Sequence, residues 1–194
     1  NLPLQIPAHI DESEKVMNKL KKLSKKKLGS MMKLSKDLVE LNAMRYQEWS
    51  TDFNLENSRP ALLTFNGEVY RGMGAKSFSE KEMEFAENHL RLLSGLHGLL
   101  KPLDYIQPYR LEMGTSISVG RNKNLYQFWS DKVTNDLNDA MELSGTDTLI
   151  NLASNEYSKA VNFDKIKGFL KDTVVSSQPE QSGQATDNSK STTN

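Results

Sequence analysis

Apolar residues recur at helical spacing in several separate stretches of this chain. Val16, Met17, Leu20 and Leu23 share one face of a helix that follows Asp11. Asp11 and Glu14 have capping-box spacing at its start. Gly29 to Leu34 reads as a short helix end with Met31 and Met32 as core filler. Ser35 caps a further helix in which Leu38, Leu41, Met44 or Arg45, and Trp49 recur. Ser79 and Glu82 form a second capping box, and Met83, Ala86, Leu90 and Leu93 turn inward behind it. Asn124 caps a long helix to Leu143, with Leu125, Phe128 or Trp129, Val133, Leu137 and Met141 on its apolar side.

Three short runs have strand character instead: Ala61 to Phe65, Leu111 to Val119, and Thr148 to Leu152. Asn1 to Ile10, broken by Pro3 and Pro7, reads as extended, with His9 on a surface loop. The pattern predicts an α/β (α+β) fold: one domain over 1–171 with a small sheet and several amphipathic helices. Residues 172–194 are polar, rich in Ser, Gln, Asn and Thr, and read as a disordered tail.

Composition narrows the function. The chain has 194 residues, with 25 basic and 25 acidic side chains, so any attraction to nucleic acid must come from local patches. It has no cysteine, which excludes disulfides, thiolate zinc sites and thiol-based peroxide reduction. Mean hydropathy is −0.61, and no apolar run approaches the ~20 residues of a membrane span. The expectation is a cytoplasmic protein without a membrane partner. His89 and His97 stand apart, and no His/Asp/Glu grouping has ligand spacing, so neither a stable metal nor another cofactor is implied. No nucleophile–base pair has recognisable spacing, so no catalytic residue is named.

Candidate chemistry concentrates in Asn88 to Gly114. There Ser94-Gly95-Leu96-His97-Gly98 follows an apolar helical end and Pro102 closes the run. Glycines at 95 and 98 predict a tight reversal where main chain comes close to something. One reading is a helix-hairpin-helix-like turn, whose free amides meet a DNA phosphate at a helix N-terminus, with Arg91, Lys101 and Arg110 adding attraction. The other is a glycine cap followed by a packed loop. The lysines at 19, 21, 22, 25, 26, 27, 33 and 36 form either a phosphate-contacting patch or a solvated helix face. Tyr70 to Gly74, with Gly72 and Gly74, is either a phosphate cradle after a strand or a plain strand-to-helix loop. Asn151, Ser154, Asn155 and Glu156 lie where a strand enters a helix, a place where ligands gather in α/β folds. Ser154 acting only as an N-cap is the alternative.

The run RLLSGLHGLLKPLDYIQPYRLEMG resembles the central signature of the YaaA family of bacterial peroxide-stress proteins. Three further stretches match in the same order: ALLTFNGEVYRGM from Ala61, NLYQFWSDKVTNDLN from Asn124, and INLASNEYSKAV from Ile150. The likeness covers roughly Leu2 to Ile166. Family members open with a β-strand and continue into further strands, so the chain is expected to lack that first strand and the C-terminal third. The resemblance implies peroxide-stress function, non-specific duplex DNA binding through a helix-hairpin-helix and a positive cleft, and limitation of iron-driven damage. It makes Arg71, Arg91, Gly95, His97, Gly98, Lys101 and Arg110 the expected DNA contacts. A different class of function, an enzyme or small-ligand protein, would use Gly72, Gly74, Glu112, Asn151, Ser154, Asn155 and Glu156. An interaction domain or inactive fragment is the third.

Overall fold

The computed structural model describes residues 4–167; the polar tail predicted for 172–194 lies outside them. Three helices open the chain: α1 (Ile10–Lys21), α2 (Lys25–Met32) and α3 (Lys36–Glu48). α1 buries Val16, Met17 and Leu20 of the face read from the sequence, while Leu23 lies past its end and is half-buried. Its N-cap is His9 rather than Asp11, which lies inside the first turn, and His9 is tied to the fold by Asp136 (2.7 Å). The Ser35 hydroxyl caps α3 as expected, accepting from the Leu38 amide. The buried face of α3 is rotated by one residue from the expectation. Val39, Asn42, Tyr46 and Trp49 are buried, whereas Leu38 and Met44 are exposed. The Tyr46 ring and its hydroxyl, which donates to the Arg110 carbonyl, set that rotation.

Next come β1 (Arg59–Pro60), α4 (Ala61–Thr64) and α5 (Glu68–Met73). The apolar run from Ala61 is therefore a helical turn, not a strand. Four residues carry too little periodicity to separate the two. Here the first amides of the turn have acceptors in place: Ala61 N–H donates to the Asp104 carbonyl (2.8 Å) and Leu62 N–H to that of Pro102 (3.0 Å). Tyr70 to Gly74 is likewise helical, and Gly74, at φ 62°, is its left-handed cap rather than a phosphate cradle.

α6 (Glu80–His89) starts with the predicted capping box of Ser79 and Glu82 and stops four residues short of the expected Leu93. The chain then forms β2 (Leu92–Ser94), a turn, and β3 (Gly98–Leu100), paired antiparallel with Leu92 opposite Leu100 and Ser94 opposite Gly98. The expected helix-hairpin-helix element is thus a β-hairpin. Every residue from Ser94 to Leu100 is buried, which suits a short strand pair covered on both sides and not a helix N-terminus facing solvent. β4 (Tyr105–Ile106) pairs antiparallel with β1.

Residues 111–119 alternate strictly in burial, with Leu111, Met113, Thr115, Ile117 and Val119 inward, yet they join no strand ladder. The predicted run Thr148–Leu152 is also unpaired. α7 (Leu125–Ser144) keeps its predicted cap, Asn124, and buries Leu125, Phe128, Trp129, Val133, Leu137 and Met141. α8 (Asn155–Ser158) is the last described α-helix, followed by a 3-10 turn at Phe163–Lys165.

Two apolar clusters result. The larger joins α1, α2, α3, the 111–119 run and α7. The smaller joins α4, α6 and Leu92, Leu100 and Ile106. Tyr109 packs against both. Among the described residues no helix is long and apolar enough to cross a membrane.

The hairpin turn carries a sharp energetic expectation. Gly98 has φ 73°, and a Cβ there would stand 2.6 Å from Cε3 of Trp129. Gly98→Ala should lower the unfolding free energy by about 3 kcal/mol, through backbone strain plus overpacking. Gly120→Ala, at φ 59° with open space around it, should cost only about 1 kcal/mol. Denaturant titration of both variants measures the contrast.

Candidate functional site

The 94–98 turn is filled by protein on every side. Ser94 Oγ accepts from the Leu96 amide (3.2 Å) and the His97 amide (2.9 Å) and pairs with Tyr109 Oη (2.6 Å). The Gly95 carbonyl accepts from Trp129 Nε1–H (3.0 Å). A Cβ on Gly95 would meet the Leu111 carbonyl oxygen at 2.6 Å. The glycines do mark a close approach; what approaches is Trp129 and the Leu111 main chain. The amides expected to face a phosphate are spent on Ser94, and Gly95, His97 and Gly98 are buried, so these three cannot be DNA contacts in this conformation.

His97 sits at the bottom of the turn. Ser13 Oγ–H donates to the His9 carbonyl (2.9 Å), so at His97 the hydroxyl accepts, and the ring's Nδ1–H donates to it (2.9 Å). Nε2 is then bare, buried and without a partner. Burial holds the imidazole neutral, with its pKa pushed down to about 3. Tyr109 meets the His97 ring edge-on at 5.4 Å. Burial, the first cause, raises the Tyr109 hydroxyl well above its ordinary range, with the Ser94 hydrogen bond opposing.

The expected cations disperse. Arg71 donates to the Asn66 carbonyl (3.2 Å). Arg91 donates to the carbonyls of Glu87 (2.9 Å) and Leu90 (2.7 Å); burial lowers its pKa, opposed by Glu87 and Asp104. Lys101 is exposed beyond β3, its amide donating to Asp104 Oδ2 (2.8 Å). Arg110 pairs with Glu112 (2.7 Å). None of the four makes a hydrogen bond to the turn.

Two surface depressions among the described residues hold charged side chains. The first, about 290 Å³, brings together Glu112 and Glu156 from the small-ligand set, with Gly114, Thr115, Met31, Met32 and Lys33. Ser154 and Asn155 start α8 and thereby place Glu156, whose Oε1 accepts the Gly114 amide (2.8 Å). Ser154 makes no side-chain cap bond. Lys33 is the sole non-glycine residue with positive φ (52°) among the described residues. Tyr157 lies beside the two carboxylates. Burial first, then Glu156 and Glu112, pushes its pKa up to about 12. Gly72, Gly74 and Asn151 do not line this depression. Asn151 instead accepts from the Ala153 amide (3.1 Å).

The second depression, about 380 Å³, is lined by Lys15, Asn18 and Lys19 of α1 and its C-cap Lys22, by Val119, Gly120 and Asn122, and by Phe128. Lys15 pairs with Glu12 at 3.4 Å, while Lys19 and Lys22 have no acidic partner among the described residues. Arg121 and Lys123 are exposed on the adjoining loop. The spacing of Lys15, Lys19 and Lys22 puts them on one helix face and was readable in the sequence. Their facing the 119–122 turn was not.

These features define a mixed helix-and-hairpin domain whose central turn is core and whose charged depressions lie at its surface. The family model for peroxide stress protein YaaA matches residues 2–189. The chain belongs to that family. It is 51% identical over 161 residues to a UPF0246 protein of Aliivibrio fischeri strain MJ11, covering 83% of this chain and 62% of the relative. A UPF0246 protein from strain ATCC 700601 / ES114 of the same species matches with the same identity and coverage. The chain thus spans less than two thirds of the length of these curated relatives.

The neutral His97 has a pH signature. Its folded pKa, about 3, lies below the unfolded value of about 6.5, so the unfolded state binds the extra proton between them. Stability is full above pH 6.5 and falls as pH drops toward 3. From pH 7 to 5 the wild type should lose about 2 kcal/mol more than His97→Leu, measured by denaturant titration. Ser94→Ala should cost about 2 kcal/mol at neutral pH, because it orphans two buried amides.

Proposed function

We propose that this chain serves its family's peroxide-stress role by binding duplex DNA without sequence preference. The contact lies on the lysine face of α1 and the loop through Arg121 and Lys123, not on the 94–98 turn. One observation carries the reading. Lys15, Lys19 and Lys22 line a single depression opposite main chain at Gly120, and two of them have no acidic partner among the described residues. Unpaired ammonium groups on a convex helix attract phosphate by counterion release and read no bases. A protein covering the duplex in this way limits iron-driven damage by shielding it, with no iron bound to the protein.

Fluorescence anisotropy with a random-sequence duplex across a salt series tests this. Changing Lys15, Lys19 and Lys22 together to Gln should flatten the salt slope by about 2.7, near 0.9 for each lost phosphate contact. Arg91→Gln should leave it unchanged. Affinity indifferent to salt, or to the triple change, would refute the reading.

A second reading rests on the Glu112–Glu156–Lys33 depression. Lys33 and one Glu156 oxygen there are free to meet a small zwitterion. A thermal-shift screen of amino acids should then show a stabilising ligand whose effect vanishes in Lys33→Ala.

A further inference from the structure

Of the asparagines in this chain, only Asn66 is followed by glycine. Asn66 and Gly67 are both exposed, in the link between α4 and α5. The Asn66 side-chain amide makes no hydrogen bond among the described residues, and the Gly67 N–H has no acceptor there. Glycine also offers no Cβ to shield its nitrogen. Arg71 Nη1–H donates to the Asn66 main-chain carbonyl (3.2 Å). That oxygen and the Gly67 nitrogen belong to one peptide group. A cation on the oxygen stabilises the negative charge that spreads to it when the nitrogen loses its proton.

Asn57 is the contrast. It also precedes a small residue, Ser58, yet its side chain is tied at both ends. Its Oδ1 accepts the Asn54 amide (3.0 Å) and its Nδ2 donates to the Asp52 carbonyl (2.7 Å). The Ser58 amide is spent on the Asn54 carbonyl (3.1 Å).

We propose that Asn66–Gly67 is a self-modification site, promoted by Arg71, that turns the asparagine into an acid. The Gly67 nitrogen attacks Cγ of Asn66. A C–N bond forms, the Cγ–Nδ2 bond breaks, and ammonia leaves with the proton that the nitrogen gave up. Water then opens the cyclic imide. Opening at Cγ leaves aspartate on an unchanged main chain. Opening at the main-chain carbonyl leaves isoaspartate, with the chain routed through Cβ and one methylene longer. Either product adds a negative charge to the residue that Arg71 holds, in a chain of zero formal charge. This inference is independent of the DNA-binding reading.

Purified protein incubated at neutral pH and sampled by peptide mass spectrometry tests it. Asn66 should convert ahead of Asn57 and every other described asparagine, and to both acids. A Cβ on Gly67 would meet only the Tyr70 ring, at 3.5 Å, and Gly67 has φ −87°, so Gly67→Ala keeps the melting curve. It should slow conversion at least about tenfold, because the added carbon shields the nitrogen. Arg71→Gln should slow it about threefold by removing the charge. A rate unchanged by either variant overturns the proposal, as does conversion of Asn57 first. It is also overturned if residue 66 keeps its amide over the time in which a synthetic peptide of residues 62–71 converts.

Discussion

The contact on which the rest of the molecule depends is the one between Trp129 and the hairpin turn. The indole lies against the bare Cα of Gly98, and its N–H is satisfied by the Gly95 carbonyl. That pairing presses β2–β3 onto α7, the element that contributes more buried side chains to the larger cluster than any other. It works only with glycine at 98, because the backbone there is left-handed and a methyl group would overlap the ring. Ser94 closes the turn from inside, gathering two amides and the Tyr109 hydroxyl on one oxygen. Tyr109 then bridges to the smaller cluster, so one buried turn couples both apolar clusters. A polar group as costly to bury as His97 is accommodated by staying neutral and lending its one proton to Ser13.

Sequence patterning gave the helices with long amphipathic faces most clearly. α1 and α7 bury the residues their periodicity indicates, and the caps at Ser35, Ser79 and Asn124 are made by the side chains expected. It misled where a run was short or where a distant partner decided. Ala61–Thr64 is helical because the 102–104 carbonyls receive its first amides. α3 turns its Val39–Tyr46 face inward because Tyr46 reaches Arg110, sixty-four positions away in the chain. Leu111–Val119 alternates as a strand does, and its burial follows that alternation, yet period alone cannot supply a neighbouring strand.

The candidate site shows the same division. Two glycines correctly signalled a close approach of main chain, but spacing says nothing about whether a phosphate or an indole does the approaching. The residues that matter to the turn, Ser13, Tyr109 and Trp129, come from three other elements. Glu112 and Glu156 were both marked by the sequence, and the fold brings them together around Gly114. The expected cations were scattered by local ties to Asn66, Glu87 and Glu112, and the α1 lysines are among the exposed positive side chains that remain.

The central claim is that the 94–98 turn is structural and holds no phosphate. Amide exchange at Leu96 and His97, in the free protein and with saturating duplex DNA, tests it most directly. The account predicts that both amides exchange slowly in the free protein, at the rate of global unfolding, and that DNA changes them no more than it changes the core of α7. Fast exchange in the free protein, slowed selectively at these two amides by DNA, would contradict it.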